Sequence, residues 1–240
     1  MIPLGKNTAV VLLIAVVSVG GLFVACATTK EESMGSGAAA AAAFLPDPSL
    51  LQAGQPGQVD RVYLNPSANW GSYTKMILEP VTIWTGRGSD MTKVSPNERK
   101  ALADGLYMDL RDAASKKCQM VTEPGPGTMR WRIALVDATS TNPFMNTVST
   151  FEPHARLLDL VAGATLHGGV AYFVGQATGE GYAQDAATGM LLWEGQDRRV
   201  GTKALQRDTL NSWGDVDNAF KAWAAQLSTR MDQLGVCRRG

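Results

Sequence analysis

Histidine, cysteine and net charge are all scarce in this sequence. The only histidines, His154 and His167, have no cysteine or carboxylate near them at the spacing of a metal site, so we expect no bound metal. The 22 basic residues balance the 22 acidic ones. This balance excludes the basic surface typical of nucleic-acid-binding proteins and the basic cluster that binds acidic lipid heads.

Catalytic motifs are missing as well. The sequence contains no G-x-S-x-G nucleophile turn and no phosphate-binding loop. Gly35 and Gly37 loosely resemble a dinucleotide-binding fingerprint, but no strand precedes them, so we expect no cofactor. The carboxylates are scattered along the chain, and no spacing pairs two of them as a general acid and a general base; they include Glu79, Asp137, Glu180 and Asp185. The sequence therefore does not predict an enzyme.

An uncharged apolar run at the start of the chain is the clearest targeting signal. Residues 7–27 read NTAVVLLIAVVSVGGLFVACA after a lone Lys6. This layout is typical of a bacterial export signal over residues 1–25 that ends in a lipobox. Cys26 then becomes the first mature residue and carries the lipid, palmitate included. The protein is thereby expected on a membrane of the cell envelope.

Two details leave a second outcome open. Lipoboxes usually carry Leu three residues before the cysteine, and Phe23 stands there. Ala25-Cys26-Ala27 is itself an A-x-A motif, so ordinary signal peptidase could cut after Ala27 and release a soluble periplasmic protein.

A tether and a single domain follow the signal. Residues 26–59 are first rich in Gly, Ser and Ala and then in Pro, which predicts a flexible tether that leads into extended, irregular chain. Residues 60–240 form the predicted domain, with its ordered part ending near residue 237. An apolar fraction of 45% is enough for an ordinary core.

Patterns within residues 60–240 predict an α+β fold. Ser95, Pro96 and Glu98 form a helix start with a capping box, and an apolar stripe on Leu102, Leu106 and Leu110 continues it. A second helix starts at Asp215. Strands are predicted at residues 61–64, 73–83 with a break at Pro80, 119–123, 128–136, 170–185 and 190–200, and a short helix at residues 156–166. We expect an antiparallel-rich sheet of four to six strands with the two main helices packed on one face.

The strand at residues 128–136 alternates cleanly. Met129, Trp131, Ile133 and Leu135 share one face, whereas Arg130 and Arg132 share the other. The arginines are interpreted as a solvated face, with anion binding as the less favoured alternative.

Two cysteines remain once Cys26 is lipidated. Cys118 and Cys237 each follow a predicted helix. If both helices cover the same sheet face and run the same way, these ends become neighbours. The sequence therefore predicts a disulfide between them in an oxidising compartment.

Several segments together resemble a family of bacterial lipoproteins known as the domain of unknown function 3313. They occur in family order and are residues 73–81 (YTKMILEPV), 123–128 (EPGPGT), 185–189 (DAATG), 197–199 (DRR) and 220–224 (FKAWA). The resemblance implies an exported, outer-membrane lipoprotein with no assigned activity. Ala27 in place of an aspartate after Cys26 is similar to an outer-membrane address.

These observations favour a lipid-anchored protein on the periplasmic side of the outer membrane. We expect it to serve as a binding or structural module for an envelope protein or the cell wall. The alternative is a carrier of a small apolar or lipid ligand, which needs a pocket of about 300 Å³.

Overall fold

The computed structural model describes residues 29–33, 44–86, 89–140, 175–201 and 212–238. The predicted lipidation site Cys26, both histidines and the helix predicted at residues 156–166 lie outside these ranges.

Three long antiparallel strands form the centre of the sheet. They are β7 (Thr128–Thr139), β8 (Gln176–Asp185) and β9 (Leu191–Gly201). Their register places Ala183 of β8 between Trp131 of β7 and Trp193 of β9. Side chains directly opposite each other lie on the same face of a sheet, so these three residues share a face.

Short strands extend the sheet on both sides. They are β1 (Thr29–Glu31), β2 (Gln52–Ala53), β3 (Arg61–Leu64), β4 (Lys75–Leu78), β5 (Thr82–Ile83) and β6 (Gln119–Met120). The order across the sheet is β2-β3-β9-β8-β7-β4-β6, with β1 beside β9 and β5 beside β7. The pairs β4–β6, β4–β7 and β5–β7 are parallel, and the other pairs are antiparallel.

The α+β class is confirmed, and the sheet has more strands than the four to six predicted. Nine strands lie within the described residues. The additional strands are two or three residues long. Such segments are too short to show a period of two, so their neighbours determine the pairing.

Strand β1 lies within the segment that the sequence assigns to the tether. Thr29 pairs with Gly201 and Glu31 with Arg199, and the backbone N–H of Glu32 donates to the carbonyl of Arg198. Thr29 is buried. The chain is therefore held on the sheet from three residues after Cys26.

Two parallel helices pack on one face of the sheet, as predicted. They are α1 (Pro96–Ser115), which begins with the predicted capping box at Ser95, and α2 (Gly214–Leu234). The indole Nε1 of Trp213 donates to Glu98 Oε1 at 3.2 Å and joins the two N-terminal ends. Neither helix is long and apolar enough to cross a bilayer.

The two faces of the sheet differ in their covering. On the helix face, Leu135 and Ala177 pack with Leu106 and Phe220 in the main core. On the opposite side, which we call the outer face, Tyr182 packs with the chain at residues 44–51. We call residues 44–51 the strap. The outer face is therefore covered rather than solvated.

Candidate functional site

A cavity of about 110 Å³ lies on the helix face of the sheet. Its walls are mainly apolar, and four of the six tryptophans of the sequence line it. We call it the tryptophan groove and define it by Val62, Leu64, Trp70, Trp131, Trp193, Trp223 and Leu227. The wall combines residues from β3, β7, β9, α2 and the segment between β3 and β4.

Glycines in the central strands make room for the indole rings. A Cβ atom on Gly195 would lie 2.3 Å from the Trp193 ring, and one on Gly179 would lie 3.1 Å from the Trp223 ring. The Trp193 ring therefore lies directly on the backbone at Gly195, an approach that only glycine allows, and the Trp223 ring is in tight contact at Gly179. Trp193 also stacks with Trp131, and their ring centroids are 5.1 Å apart.

A buried carboxylate fixes one wall of the groove. Asp197 is 2% exposed, and its Oδ2 accepts hydrogen bonds from Trp223 Nε1 at 2.6 Å and Arg199 Nε at 3.0 Å. Its Oδ1 accepts from the backbone N–H of Asp60 at 3.0 Å. Burial raises the pKa of Asp197, while these bonds and the Arg199 charge act in the opposite direction. Asp197 thus orients Trp223 and the chain leading into β3.

The mouth of the groove lies between α2 and the turn before β3. The side-chain Nε2 of Gln226 donates to the carbonyl of Gly57 at 3.3 Å across this mouth. Gln58 and Arg230 also border the groove. A single hydrogen bond contributes about 0.5 to 1.5 kcal/mol, so the bond between Gln226 and Gly57 holds the mouth closed only weakly.

A disulfide holds the far end of the groove. Cys118 and Cys237 are bonded, with their Cα atoms 5.0 Å apart. Each stands three residues after the last residue of its helix. Val236, next to Cys237, lines the groove, so the bond joins this wall to the end of α1.

The outer face carries two buried carboxylates. Glu180 is 2% exposed and Glu194 is fully buried. Glu180 Oε1 accepts a hydrogen bond from Gln196 Nε2, whereas Glu194 Oε1 accepts from the backbone N–H of Asp47 at 2.8 Å. Within the described part of the chain, Oε2 of each glutamate has no hydrogen-bond partner.

The remaining carboxylates named from the sequence do not meet in one site. Glu79 lies 3.6 Å from Arg130 Nε. Asp185 accepts a hydrogen bond from the Tyr73 hydroxyl at 3.0 Å and caps the turn between β8 and β9. Asp137 accepts from the backbone N–H of Asp90 at 3.2 Å.

The interpretation of Arg130 and Arg132 as a solvated face is wrong. Both side chains are half-buried on the outer face. Arg132 donates to the Tyr182 hydroxyl at 3.1 Å, and Arg130 faces Glu79. The strap that covers this face comes from distant sequence, so alternation within β7 does not reveal it.

Among the described residues, no three His, Cys, Asp or Glu side chains group in a way that could hold a metal ion.

The sequence predicts Trp131 and Trp223 on core faces but does not predict the groove. The available signal was the glycine at positions 179, 181 and 195 within strand-like sequence, since a glycine inside a strand marks a close approach.

The chain belongs to a known family. The model of the family "Protein of unknown function (DUF3313)" matches residues 40–227, which confirms the resemblance found in the sequence. No curated protein matches the chain.

Several solved structures are similar to the chain at low identity. The PelC dodecamer protein from Paraburkholderia phytofirmans is 11% identical, with 75% of this chain and 97% of that chain covered and a TM-score of 0.38. A DUF4136 family protein from Bacteroides thetaiotaomicron is 9% identical, with 74% and 96% covered and a TM-score of 0.34. The hypothetical protein CT253 from Chlamydia trachomatis is 8% identical, with 68% and 94% covered and a TM-score of 0.33. We draw no functional conclusion from likenesses of this size.

Proposed function

We propose that this protein is a lipid-anchored module of the bacterial outer membrane that docks a periplasmic partner protein through the tryptophan groove. The observation that carries this proposal is the size of the groove together with its apolar wall. An apolar cavity of roughly 150 Å³ holds one benzene molecule, so about 110 Å³ suits one apolar side chain. Single side chains buried in such pockets dominate the affinity of many protein interfaces.

The same size argues against the carrier alternative. Sites for small molecules have volumes of about 300 to 1,000 Å³. The groove has about a third of the smallest of these volumes. A lipid chain therefore does not fit the described cavity, whereas one protruding side chain does.

Support for the anchor comes from both ends of the fold. Cys26 ends the apolar run of residues 7–27, and β1 begins only three residues later. Three extended residues reach about 10 Å, so an acylated Cys26 keeps β1 close to the membrane surface. The disulfide between Cys118 and Cys237 suits an oxidising compartment such as the periplasm.

The groove residues of α2 lie some distance along the helix from this anchored end. Gly201, which pairs with Thr29 of β1, packs against Asp215 in the first turn of α2. Trp223 and Leu227, which line the groove, lie about two to three turns further along, or roughly 12 to 18 Å at 1.5 Å per residue. We therefore expect the partner to approach from the periplasm.

A groove-blocking substitution tests the docking role. Val62→Trp places an indole in the groove, and Met108→Trp places the same side chain at a position on α1 that is 57% exposed. A photo-reactive amino acid at Gln58, on the rim, reports contact in living cells. We expect one discrete cross-linked species with the otherwise wild-type chain. Val62→Trp should reduce it about tenfold to a hundredfold, since burying one Leu or Met side chain contributes about 1.5 to 3 kcal/mol.

The control variant decides how this result is interpreted. Met108→Trp should leave the cross-linked species unchanged, and both variants should unfold at the wild-type temperature. An undiminished cross-link in folded Val62→Trp, or no discrete species with the wild-type groove, would contradict docking at this site.

A further inference from the structure

Glu180 and Glu194 lie on the outer face, on the other side of the sheet from the tryptophan groove. Glu180 stands opposite Gln196, and Glu194 stands opposite Tyr182, the next residue of β8 on the same face as Glu180. The two carboxylates are therefore diagonal neighbours across a pair of strands. Both are at least 98% buried, and each leaves one oxygen without a partner in the described structure.

The strap covers these carboxylates and is bonded to one of them. The backbone N–H of Asp47 donates to Glu194 Oε1 at 2.8 Å. Phe44 contacts the Tyr182 ring, with a centroid separation of 5.5 Å, and packs on Ala134, which stands opposite Glu180 in β7. Leu45 and Leu51 of the strap are buried in the same cluster as Tyr182.

Among the described residues, no basic side chain forms an ion pair with Glu180 or Glu194. On β3, Arg61 stands opposite Gln196 but donates to the carbonyl of Leu51 in the strap at 3.4 Å, and Tyr63 stands opposite Glu194. On the β7 side, Arg132 donates to Tyr182, and Asp137 stands opposite Thr178, two residues before Glu180 in β8. On β9, Arg198 bonds Gln176. On the strap, the Asp47 carboxylate accepts from Ser49. The charged neighbours of Glu180 are thus either engaged with other groups or acidic themselves.

We infer that Glu180 and Glu194 form a proton-dependent latch for the strap, which is held on the outer face while one of the two carboxyl groups is protonated and loosens when both ionise. Two like charges buried as diagonal neighbours disfavour each other, and no described basic side chain forms an ion pair with either of them. A proton on one of them lets the pair stay buried while Glu194 still accepts from the strap. The latch does not depend on the docking role of the groove.

The direction of the pH effect follows from the raised pKa values of the two glutamates. Burial raises the pKa of Glu180 to about 7; the Gln196 bond opposes this and the Glu194 charge adds to it. Burial likewise raises the pKa of Glu194, against the bond from Asp47. A pKa that is raised in the closed state means that closure is favoured at low pH and lost as the pH rises through about 7.

Hydrogen exchange of the strap amides tests the latch. The intrinsic rate at each pH divided by the observed exchange rate gives protection factors for residues 44–51 and for the control strand β7. Between pH 6 and 8.5 we expect the strap protection in the wild-type protein to fall about tenfold, as linkage predicts for a shift from 4.5 to about 7. Protection in β7 should not change.

The variant Glu180→Gln removes the titrating group and keeps the shape of the side chain. The pH dependence of its strap protection should be much weaker than in the wild-type protein over the same range. A pH-independent strap in the wild-type protein, or an unaltered pH dependence in Glu180→Gln, would overturn the latch. Carboxyl-carbon NMR of the wild-type protein gives a second test that needs no variant: titration of Glu180 near 4.5 contradicts it, and titration near 7 supports it.

Discussion

Removal of the disulfide between Cys118 and Cys237 is expected to lower the free energy of unfolding by about 4 to 5 kcal/mol. The two residues are 119 positions apart in sequence, so the bond closes a loop of about half the length of the 240-residue chain. In the chain-entropy account such a loop strongly restricts the unfolded state. Domains of this kind are stable by only about 5 to 15 kcal/mol, so the loss would leave the protein marginally stable.

The double variant Cys118→Ala, Cys237→Ala tests this expectation by urea unfolding. A reductant supplies the matched control: it should destabilise the wild-type protein to a similar extent and leave the double variant unchanged. If oxidised and reduced wild-type protein unfold at the same urea concentration, the bond does not stabilise the fold and this account of the helix ends is wrong.

Phe220→Ala is expected to cost about 3 to 5 kcal/mol, the range for loss of a large buried aromatic side chain. Phe220 is 1% exposed and packs in the core that joins both helices to the sheet. A Cβ on Gly105 of α1 would lie 3.9 Å from its ring, so the side chain fills the contact between the helices. Alanine leaves a cavity that rigid helices and strands cannot close.

Met108→Ala is the control for this substitution. Met108 lies on α1 but is 57% exposed, so its truncation should change stability by about 0.5 kcal/mol or less. Thermal or urea unfolding of the two variants provides the comparison. A Phe220→Ala protein as stable as Met108→Ala would show that the two helices do not pack as described.

Local patterns predicted the long elements well. The capping box at Ser95 and the stripe on Leu102, Leu106 and Leu110 are local, so α1 begins where the sequence predicts. The alternation in β7 likewise predicted the face shared by Trp131 and Leu135. In these elements the same residues that favour the local structure also form the core.

Features that depend on distant partners could not be derived in this way. Strand β1 forms because Arg199 and Gly201 offer a free edge of β9 to a polar segment, and nothing in its own sequence indicates a strand. The tryptophan groove needs rings from several elements to converge on strand glycines. The sequence shows Glu180 only as one of several scattered carboxylates. Its proximity to Glu194 follows from the register of β8 and β9.

The glycines of the central strands are evident in the sequence, but the reason for them is seen only in the folded structure. Gly179, Gly181 and Gly195 are unfavourable in strands on local grounds. The space that a side chain would need is occupied by Trp223 at Gly179, by Ile133 at Gly181 and by Trp193 at Gly195. A conflict between local preference and final structure often marks a functional or close-packed site.

Fatty-acid labelling tests the central claim, which is that Cys26 anchors this domain in the cell envelope. Cells grown with radioactive palmitate should yield a labelled wild-type protein that stays with the membranes after a salt wash. The variant Cys26→Ser should be unlabelled. A wild-type protein that carries no label and is found free in the periplasm would contradict the anchor, and an N-terminus at Thr28 would then identify the cut after Ala27 as the cause.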